Sequence, residues 1–185
     1  MPTFFTRIGD DGKTGLLGEG RVSKADLRIE VLGSLDEASA SLGFARATCQ
    51  DPHISEMILE IQRDLYYMMA EIAATPENIL HFQKLKEDHI NWLESQLELF
   101  SSTTRVPQEF ILPGDTLSGA VFSLARTTVR RAERRLAEFQ ELESVKNPIL
   151  LKYLNRLSSL CFIIELYETG LTGNSSTLAK GKTKS

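Results

Sequence analysis

The N-terminal segment is rich in glycine, which suits phosphate binding. Residues 6–21 contain five glycines, and closely spaced glycines let backbone N–H groups turn toward a phosphate with no Cβ in the way. Gly12-Lys13-Thr14 is similar to the end of a P-loop, but Arg7 stands where that motif requires glycine, and no strand can precede it. A plain flexible arm fits the composition equally well. In both cases we expect no regular helix or strand here.

The second candidate is an arginine run at 126–135, which holds five arginines in ten residues. At 100° per residue, Arg126, Arg130 and Glu133 share one helix face, with Arg134 at its edge. The opposite face carries apolar residues, namely Leu117, Val121, Leu124, Ala132 and Leu136. The arginines therefore point away from the core, toward water or another subunit. A solvated charged face is the ordinary interpretation, but few acids are placed to neutralise the run, which favours a polyphosphate ligand.

The third candidate is Asp36, which lies on a predicted helix among small residues that permit close helix contact: Gly33, Ser34, Ala38, Ala40, Ser41 and Gly43. A carboxylate on such a face needs a cationic partner if it is buried. An exposed acid near the start of a helix is the alternative.

The chain offers little for metal or nucleophilic catalysis. None of the three histidines, His53, His81 and His89, follows a glutamate at the spacing of di-iron bundles. Cysteines Cys49 and Cys161 cannot form a four-thiolate zinc site, and no nucleophile–base pair stands out. An enzyme of this sequence would need chemistry that works without a protein acid or base.

The elements that must position these residues are helical. Apolar periodicity and the flanking cap and proline signals predict helices over about 26–48, 52–75, 84–100, 116–141 and 147–169. Asp51-Pro52 and Asn147-Pro148 have the N-cap-plus-proline pattern of helix starts. With no alternating pattern of useful length, we predict an all-α bundle of five helices preceded by the glycine-rich loop. Residues 173–185 are small and polar and suggest a flexible tail.

Length and composition limit the remaining classes. The 185 residues allow one domain, and a net charge of -4 argues against nucleic-acid binding. No apolar run reaches the roughly 18 residues of a membrane span. We see no secretion signal, and the two cysteines fit a reducing compartment, so we expect a cytoplasmic protein without a membrane partner.

Several motifs follow one another along the chain in a characteristic order. They read Thr-Arg-Ile-Gly-Asp-Asp-Gly-Lys-Thr-Gly at 6–15, Gly-Arg-Val-Ser-Lys at 20–24, Gly-Ser-Leu-Asp-Glu at 33–37, Phe-Ile-Leu-Pro-Gly at 110–114, the arginine motif at 126–134, and Lys-Tyr-Leu-Asn-Arg-Leu-Ser at 152–158. Together they resemble the trimeric ATP:cob(I)alamin adenosyltransferases of the propanediol-utilisation type, over residues 3–168. The resemblance implies one corrinoid adenosyltransferase domain over 1–172, with an ATP-binding loop at 1–24 and a helical bundle at 25–172.

The resemblance also implies a homotrimer with active sites between subunits. In this family, ATP lies between the N-terminal loop of one subunit and the arginine helix of the next. Carried over to this sequence, the loop side comprises Thr6, Arg7, Ile8, Gly9, Thr14, Gly15 and Lys24. The helix side comprises Arg130, Arg131, Ala132, Glu133, Arg134 and Asn155.

Particular roles follow from the same resemblance. Asp36 and Arg126 look like the family's inter-subunit ion pair. Phe110 resembles the aromatic residue that closes on the lower face of the corrin ring. Lys24 and Arg130 are the expected catalytic cations, with Phe110 as the third catalytic residue.

The implied reaction transfers the 5′-deoxyadenosyl group of ATP to the cobalt of cob(I)alamin or a related reduced corrinoid, giving adenosylcobalamin and triphosphate. ATP, with Mg²⁺, and the corrinoid are both substrates. Cobalt(I) is itself a strong nucleophile, which agrees with the lack of a protein base. The resemblance further implies a reductase or flavoprotein that supplies electrons, and adenosylcobalamin-dependent enzymes that receive the product.

The chain departs from the family pattern at a few positions. Ala38-Ser39 stands where the family often has Leu-Asn, Asp115 where a second glycine is common, and Ser159 where aspartate is common. The change at Ser159 removes an expected orienting hydrogen bond of the last helix, which bears on efficiency rather than on the reaction.

Two other functions are compatible with parts of the pattern. A non-catalytic ATP- or corrinoid-binding regulator could use the same fold, although Arg130 and Asn155 stand at catalytic positions. An arginine-rich helix can also bind RNA, which the acidic composition and the lack of interleaved aromatic residues disfavour.

Overall fold

The structure is a computed structural model that describes residue 5, residues 7–142 and residues 147–180. Five long helices and one short helix make up most of it, with four strands of two or three residues. The helices are α1 (Leu27–Thr48), α2 (Pro52–Ala73), α3 (Ile79–Phe82), α4 (Glu87–Thr103), α5 (Leu117–Leu142) and α6 (Pro148–Leu171). The strands are β1 (Lys13–Gly15), β2 (Arg21–Ser23), β3 (Ile111–Leu112) and β4 (Thr177–Leu178). The predicted all-α bundle is confirmed.

Local capping determines where several helices begin. The Asp51 carboxylate accepts the His53 N–H at 2.9 Å, and the Asn147 side chain accepts the Ile149 N–H at 3.1 Å. In both cases proline follows at the first helical position, as predicted. Asp26 caps α1 in the same way, through the Arg28 N–H. The four N–H groups at a helix start lack intrahelical partners, so these caps set the boundaries.

Helix α5 is the centre of the bundle. It packs most extensively against α1 on one side and α6 on the other, while α2 covers α1 and α4 covers α6. Gly119 permits the close approach of α5 to α6, because a Cβ there would lie 2.5 Å from the Thr169 hydroxyl. The buried face of α5 runs through Val121, Phe122, Ala125, Val129, Ala132, Leu136 and Phe139.

Three buried acids hold the ends and the middle of the bundle together. Asp64 accepts the Tyr153 hydroxyl at 2.8 Å, and burial raises the pKa of both groups. Glu71 binds the Asn147 side chain, which ties the end of α2 to the start of α6. Glu168 accepts the Ser118 hydroxyl at 2.7 Å and the Gln50 N–H, which joins α6 to α5 and to the α1–α2 connection. Each carboxylate thus has the partners that a buried acid needs.

The structure differs from the sequence expectations in four places. The glycine-rich loop was expected to lack strands, but β1 and β2 form an antiparallel hairpin in it, with Thr14 opposite Val22. Helix α4 begins three residues later than predicted, at Glu87, and the short helix α3 was not anticipated. Within the segment expected to be a flexible tail, β4 pairs with β3.

No helix among the described residues is both long and apolar enough to span a membrane.

Candidate active site

The N-terminal loop is held in shape mainly by Arg21. Its guanidinium group donates to both carboxylate oxygens of Asp11 at 2.8 Å, and also to the Ile8 and Lys13 carbonyls. The hydrogen bond from Arg21 keeps the pKa of Asp11 below its ordinary value. One cation with four acceptors therefore organises a segment whose glycines give it little conformational preference.

The loop is anchored at the end of α2. The Leu17 N–H donates to the Ala73 carbonyl at 2.8 Å, and the Thr75 N–H donates to the Leu17 carbonyl at 3.2 Å. Gly18 has a φ of 146°, and a side chain there would collide with the Thr75 hydroxyl. Only glycine fits that position without strain. The hairpin thus projects from one fixed end of the bundle.

Within the loop, Lys24 lies next to Gly9 and Gly12. Its Nζ is 3.0 Å from where a Cβ of Gly9 would be, and its backbone N–H donates to the Gly12 carbonyl at 2.8 Å. Among the described residues the Lys24 ammonium has no anionic partner within salt-bridge distance. An exposed ammonium beside backbone that lacks side chains is suited to an anionic ligand.

Two arginines of α5 are neutralised by α1. Arg131 forms an ion pair with Glu37, and Arg135 lies 3.4 Å from Glu30 and 3.0 Å from Glu138. The scarcity of acids deduced from the arginine run is therefore wrong for these two residues, because Glu37 and Glu30 lie on the neighbouring helix α1 and Glu138 follows Arg135 by three residues on α5 itself.

The other two arginines of the exposed α5 face have no such partner. Arg130 and Arg134 are exposed, and no carboxylate within the described chain lies within salt-bridge distance of either. The Arg134 guanidinium donates to the Arg130 carbonyl at 3.1 Å, so the two cations lie one helical turn apart. Like charges at this spacing repel. A polyanionic ligand would relieve that repulsion.

Asn155 of α6 lies beside this arginine pair. Its amide donates to Glu133 at 3.1 Å, which connects α6 to α5 on the exposed surface. Its side-chain carbonyl oxygen accepts a hydrogen bond from the Arg156 guanidinium, and the Arg156 Nε donates to Glu94 of α4 at 2.8 Å. These contacts place Asn155 and Glu133 on the same exposed surface as Arg130 and Arg134.

A cavity of about 780 Å³ opens next to these residues, between α4, α5, α6 and the segment before α5. Phe110, Arg126 and Arg130 all line it, together with Ser159 and the apolar side chains of Leu97 and Phe162. The Phe110 ring is 89% exposed. The Ser159 hydroxyl donates a long hydrogen bond of 3.4 Å to the backbone carbonyl of Asn155. The cavity is thus lined by two arginines, by the acids Glu98, Glu109 and Glu165, and by a solvent-exposed aromatic ring.

Arg126 has a partner that the sequence did not reveal. Its Nε lies 3.9 Å from Oε2 of Glu165, and neither atom has a hydrogen-bond partner among the described residues. Burial raises the pKa of Glu165, and the charge of Arg126 opposes that shift. Glu165 stands in the apolar run from Leu160 to Leu166, and an acid in such a run was the sequence signal that could have revealed this partner.

Asp36 is exposed on α1 and is not joined to Arg126 within one chain.

Some expected site residues lie elsewhere. Ala132 has no exposed surface and packs in the core, so its side chain does not face a ligand. Leu117 and Leu124 were assigned to the buried face of α5, but they are 69% and 50% exposed.

Two residues of the predicted ATP-binding loop, Arg7 and Ile8, are exposed at the surface. Arg7 has a left-handed φ of 61°, and its guanidinium lies 5.5 Å from the centre of the Phe5 ring. Thr6 lies outside the described residues.

The chain's thiols are not activated. Burial raises the pKa of Cys161 to about 12 and also raises the pKa of Cys49. Both thiols are therefore protonated near neutral pH, unlike catalytic cysteines. In the ranges that the structure describes, no three His, Cys, Asp or Glu side chains are grouped as metal ligands.

The loop and the arginine helix are separate within one chain. The loop's anchor adjoins Arg28, whose guanidinium donates to the Ala74 carbonyl and lies 5.3 Å from the centre of the Phe139 ring. Arg130 precedes Phe139 by nine residues, about 14 Å along the helix axis. No hydrogen bond or ion pair joins Lys24 to Arg130, Arg134 or Asn155 in the described part of the chain.

Comparisons with known proteins show the family to which this chain belongs. The family model for cobalamin adenosyltransferase matches residues 4–168. The chain is 34% identical to the corrinoid adenosyltransferase of Bacillus subtilis (strain 168) over 162 residues, 85% of this chain and 82% of the relative. It is 36% identical to the corrinoid adenosyltransferase PduO of Citrobacter freundii over 163 residues, which are 86% of this chain but 48% of that longer protein.

A solved structure has the same fold. It is a variant of the PduO-type ATP:corrinoid adenosyltransferase from Lactobacillus reuteri, with a phenylalanine replaced by histidine, complexed with cobalamin and ATP. The TM-score is 0.89 at 27% identity, and the match covers 97% of each chain. The chain therefore belongs to the cobalamin adenosyltransferase family, which confirms the resemblance seen in the sequence. It is a transferase, and the non-catalytic alternative is not favoured.

Replacing Arg130 with alanine tests whether the unpaired cations serve catalysis. We expect Arg130→Ala to lower kcat by about two to three orders of magnitude, as the loss of one electrostatic donor does in other enzymes. Arg135→Ala is the matched control, since Arg135 is on the same helix but is neutralised by Glu30 and Glu138. Steady-state rates of adenosyl transfer measure both. An Arg130→Ala rate within a few-fold of the unaltered protein would remove Arg130 from the mechanism.

Proposed function

We propose that this chain transfers the 5′-deoxyadenosyl group of ATP to the cobalt of cob(I)alamin or a related reduced corrinoid, at a site shared by two copies. The electron pair of cobalt(I) forms the bond to C5′ of the ribose, and the C5′–O bond breaks with its electrons leaving on triphosphate. The observation that carries this proposal is the pair of unneutralised arginines, Arg130 and Arg134, one helical turn apart, with Arg130 lining a large cavity that Phe110 borders.

The arginine pair is suited to the leaving group. As the C5′–O bond breaks, negative charge grows on the triphosphate, and guanidinium groups fixed by α5 stabilise that charge without rearranging. Asn155 and Glu133 add a hydrogen-bonding pair at the same surface. No general base is required, because the nucleophile carries its own electron pair.

Lys24 and the loop glycines supply the second half of the proposed ATP site. Gly9 presents backbone beside the Lys24 ammonium, and Thr14 and Gly15 lie in the hairpin strand β1 of the same loop. The arginines of the same chain lie farther along the bundle axis. A closed homotrimer would bring the loop of one copy to the α5 of the next. The separation of the two groups within one chain supports this arrangement.

We propose Mg²⁺ as part of the ATP substrate rather than as a resident metal. Near the arginines the described residues offer the oxygens of Glu133 and Asn155, which bind each other, and the cavity beside Arg130 is also lined by Glu98, Glu109 and Glu165. Among the described residues these side chains are not grouped as metal ligands. Such a donor set does not make a dedicated site, so the phosphate oxygens would provide most of the ligands.

The exposure of Phe110 at the cavity supports a contact with the corrin ring. The exposed ring borders the cavity, and an aromatic face there would exclude water and the lower axial base from the cobalt. Four-coordinate cobalt(II) is easier to reduce, so this contact would help a reductase or flavoprotein supply cobalt(I). Adenosylcobalamin-dependent enzymes are the proposed recipients of the product.

The direct test mixes the protein with ATP and chemically reduced cobalamin. We expect the absorbance of the cobalt–carbon bond to grow and triphosphate to appear in equal amount. Omitting ATP is the control for spontaneous changes of the corrinoid. If both ligands bind but no cobalt–carbon bond forms, the regulator interpretation replaces this proposal.

Asp36 and Arg126 are proposed to pair across the subunit interface. Glu165 already lies near Arg126, so reversing the charge at 126 would bring two carboxylates together; alanine variants avoid that problem. We expect Asp36→Ala and Arg126→Ala to weaken assembly non-additively, with a coupling of about 1 kcal/mol or more. Analytical ultracentrifugation across a concentration series measures it.

Glu37→Ala is the control for Asp36→Ala, because Glu37 is the adjacent acid and pairs with Arg131 in its own chain. We expect no coupling between Glu37→Ala and Arg126→Ala. Strictly additive effects of the Asp36 and Arg126 substitutions would contradict the cross-subunit pair.

A further inference from the structure

The segment that carries Phe110 has few attachments of its own. Residues 104–110 form no helix or strand, and β3 is only two residues long. Among the described residues, the hydrogen bonds from 105–115 to the rest of the chain all run to residues 177–179. The position of Phe110 therefore depends on β4.

Backbone pairing holds one end of this segment. Ile111 lies opposite Leu178, and Leu112 lies opposite Thr177, in an antiparallel ladder. The Ala179 N–H donates to the carbonyl of Phe110 itself at 2.7 Å. The residue proposed to contact the corrin is thus tied directly, through its own carbonyl, to the chain after α6.

The side chain of Asp115 holds the other end. Its two oxygens accept the Thr177 hydroxyl at 2.6 Å and the Thr177 N–H at 2.8 Å. These bonds also keep the pKa of Asp115 below its ordinary value. Asp115 does not cap α5, because that role falls to the Thr116 hydroxyl, which accepts the Gly119 N–H at 3.0 Å. The Asp115 carboxylate is therefore available to fix the tail.

We infer that Asp115 and Thr177 are positioning residues for the corrinoid site. They clamp β4 onto β3 and so hold Phe110 at the rim of the cavity. Asp115 stands where the family commonly has a glycine, so this departure from the pattern supplies a carboxylate that a glycine could not. The inference rests on the proposed corrin contact of Phe110 and extends it to the residues that maintain it.

The first measurement concerns the clamp alone and needs no activity. Hydrogen–deuterium exchange of peptides covering 108–114 and 175–180 should rise about two- to tenfold in Asp115→Ala, the range by which one hydrogen bond changes an equilibrium. Thr177→Val should do the same, Thr177→Ser should retain the protection of the unaltered protein, and Ser175→Ala is the control within the tail. Unchanged exchange of 108–114 in Asp115→Ala and Thr177→Val would overturn the clamp.

The second measurement concerns the corrinoid. With ATP and cobalt(II) cobalamin bound, the electron paramagnetic resonance signal of four-coordinate cobalt(II) should fall about two- to tenfold in Asp115→Ala and in Ala179→Pro, which removes the N–H that binds Phe110. The KM for ATP should stay within about twofold, since Lys24 and Arg130 are untouched. Turnover should fall more from cobalt(II) than from chemically supplied cobalt(I).

Phe110→Ala separates the two possible failures. If Phe110→Ala lowers the four-coordinate signal while Asp115→Ala and Ala179→Pro leave it unchanged, the positioning role is wrong and the corrin contact stands. If Phe110→Ala itself leaves the signal unchanged, the proposed contact is wrong and the inference falls with it. A loss of ATP affinity equal to the loss of turnover in Asp115→Ala would show a general structural defect and would also overturn the inference.

Discussion

Two arginines that lie one turn apart on α5, with no anion of the described chain to neutralise them, set the main electrostatic constraint of this molecule. The core uses the opposite face of the helix, where Val129, Ala132 and Leu136 are fully buried. Arg130 and Arg134 are consequently held outward while their neighbours Arg131 and Arg135 bind acids of α1. The repulsion between like charges at this spacing is small in water, about 0.2–0.5 kcal/mol. A bound polyanion, such as the triphosphate proposed here as the leaving group, would replace this repulsion with attraction.

The surroundings of these arginines explain why the bundle is built as it is. Buried acids at three junctions, Asp64, Glu71 and Glu168, fix α5 and α6 relative to the other helices. That rigidity keeps the cationic surface in one shape before a ligand arrives, which is what electrostatic catalysis requires. The less regular parts, the glycine loop and the segment with Phe110, are each held by hydrogen bonds to one fixed end of a helix or to a short strand. Regular helices supply the rigid surface, and the two irregular segments carry Lys24 and Phe110, which are proposed to contact the substrates.

Local features of this fold could be predicted from the sequence, and long-range ones could not. Asp51-Pro52 and Asn147-Pro148 mark helix starts because capping depends on neighbouring residues only. Ion pairs such as Arg131–Glu37 depend on which helices become neighbours, and periodicity carries no information on that. The pairing of Thr177 with Asp115 joins residues 62 positions apart, so a small polar tail looked unstructured. The loop hairpin was missed for a similar reason, since Arg21 overrides the weak preference of the glycines. The site residues came from motifs rather than from geometry, which is why Ala132 was included although it is buried.

The central claim is that one active site needs the loop of one copy and the α5 of another, and subunit mixing tests it most directly. Lys24→Ala and Arg130→Ala chains with different affinity tags are co-expressed, and trimers of the proposed kind that contain both chains are purified through the two tags in succession. In a closed ring with a shared site, every such trimer has one complete site of three, so activity should recover to about a third of the unaltered rate although each variant alone is nearly inactive. If each chain instead holds a whole site, no mixture contains an intact one. Mixed trimers that are no more active than the two parent variants would contradict the account.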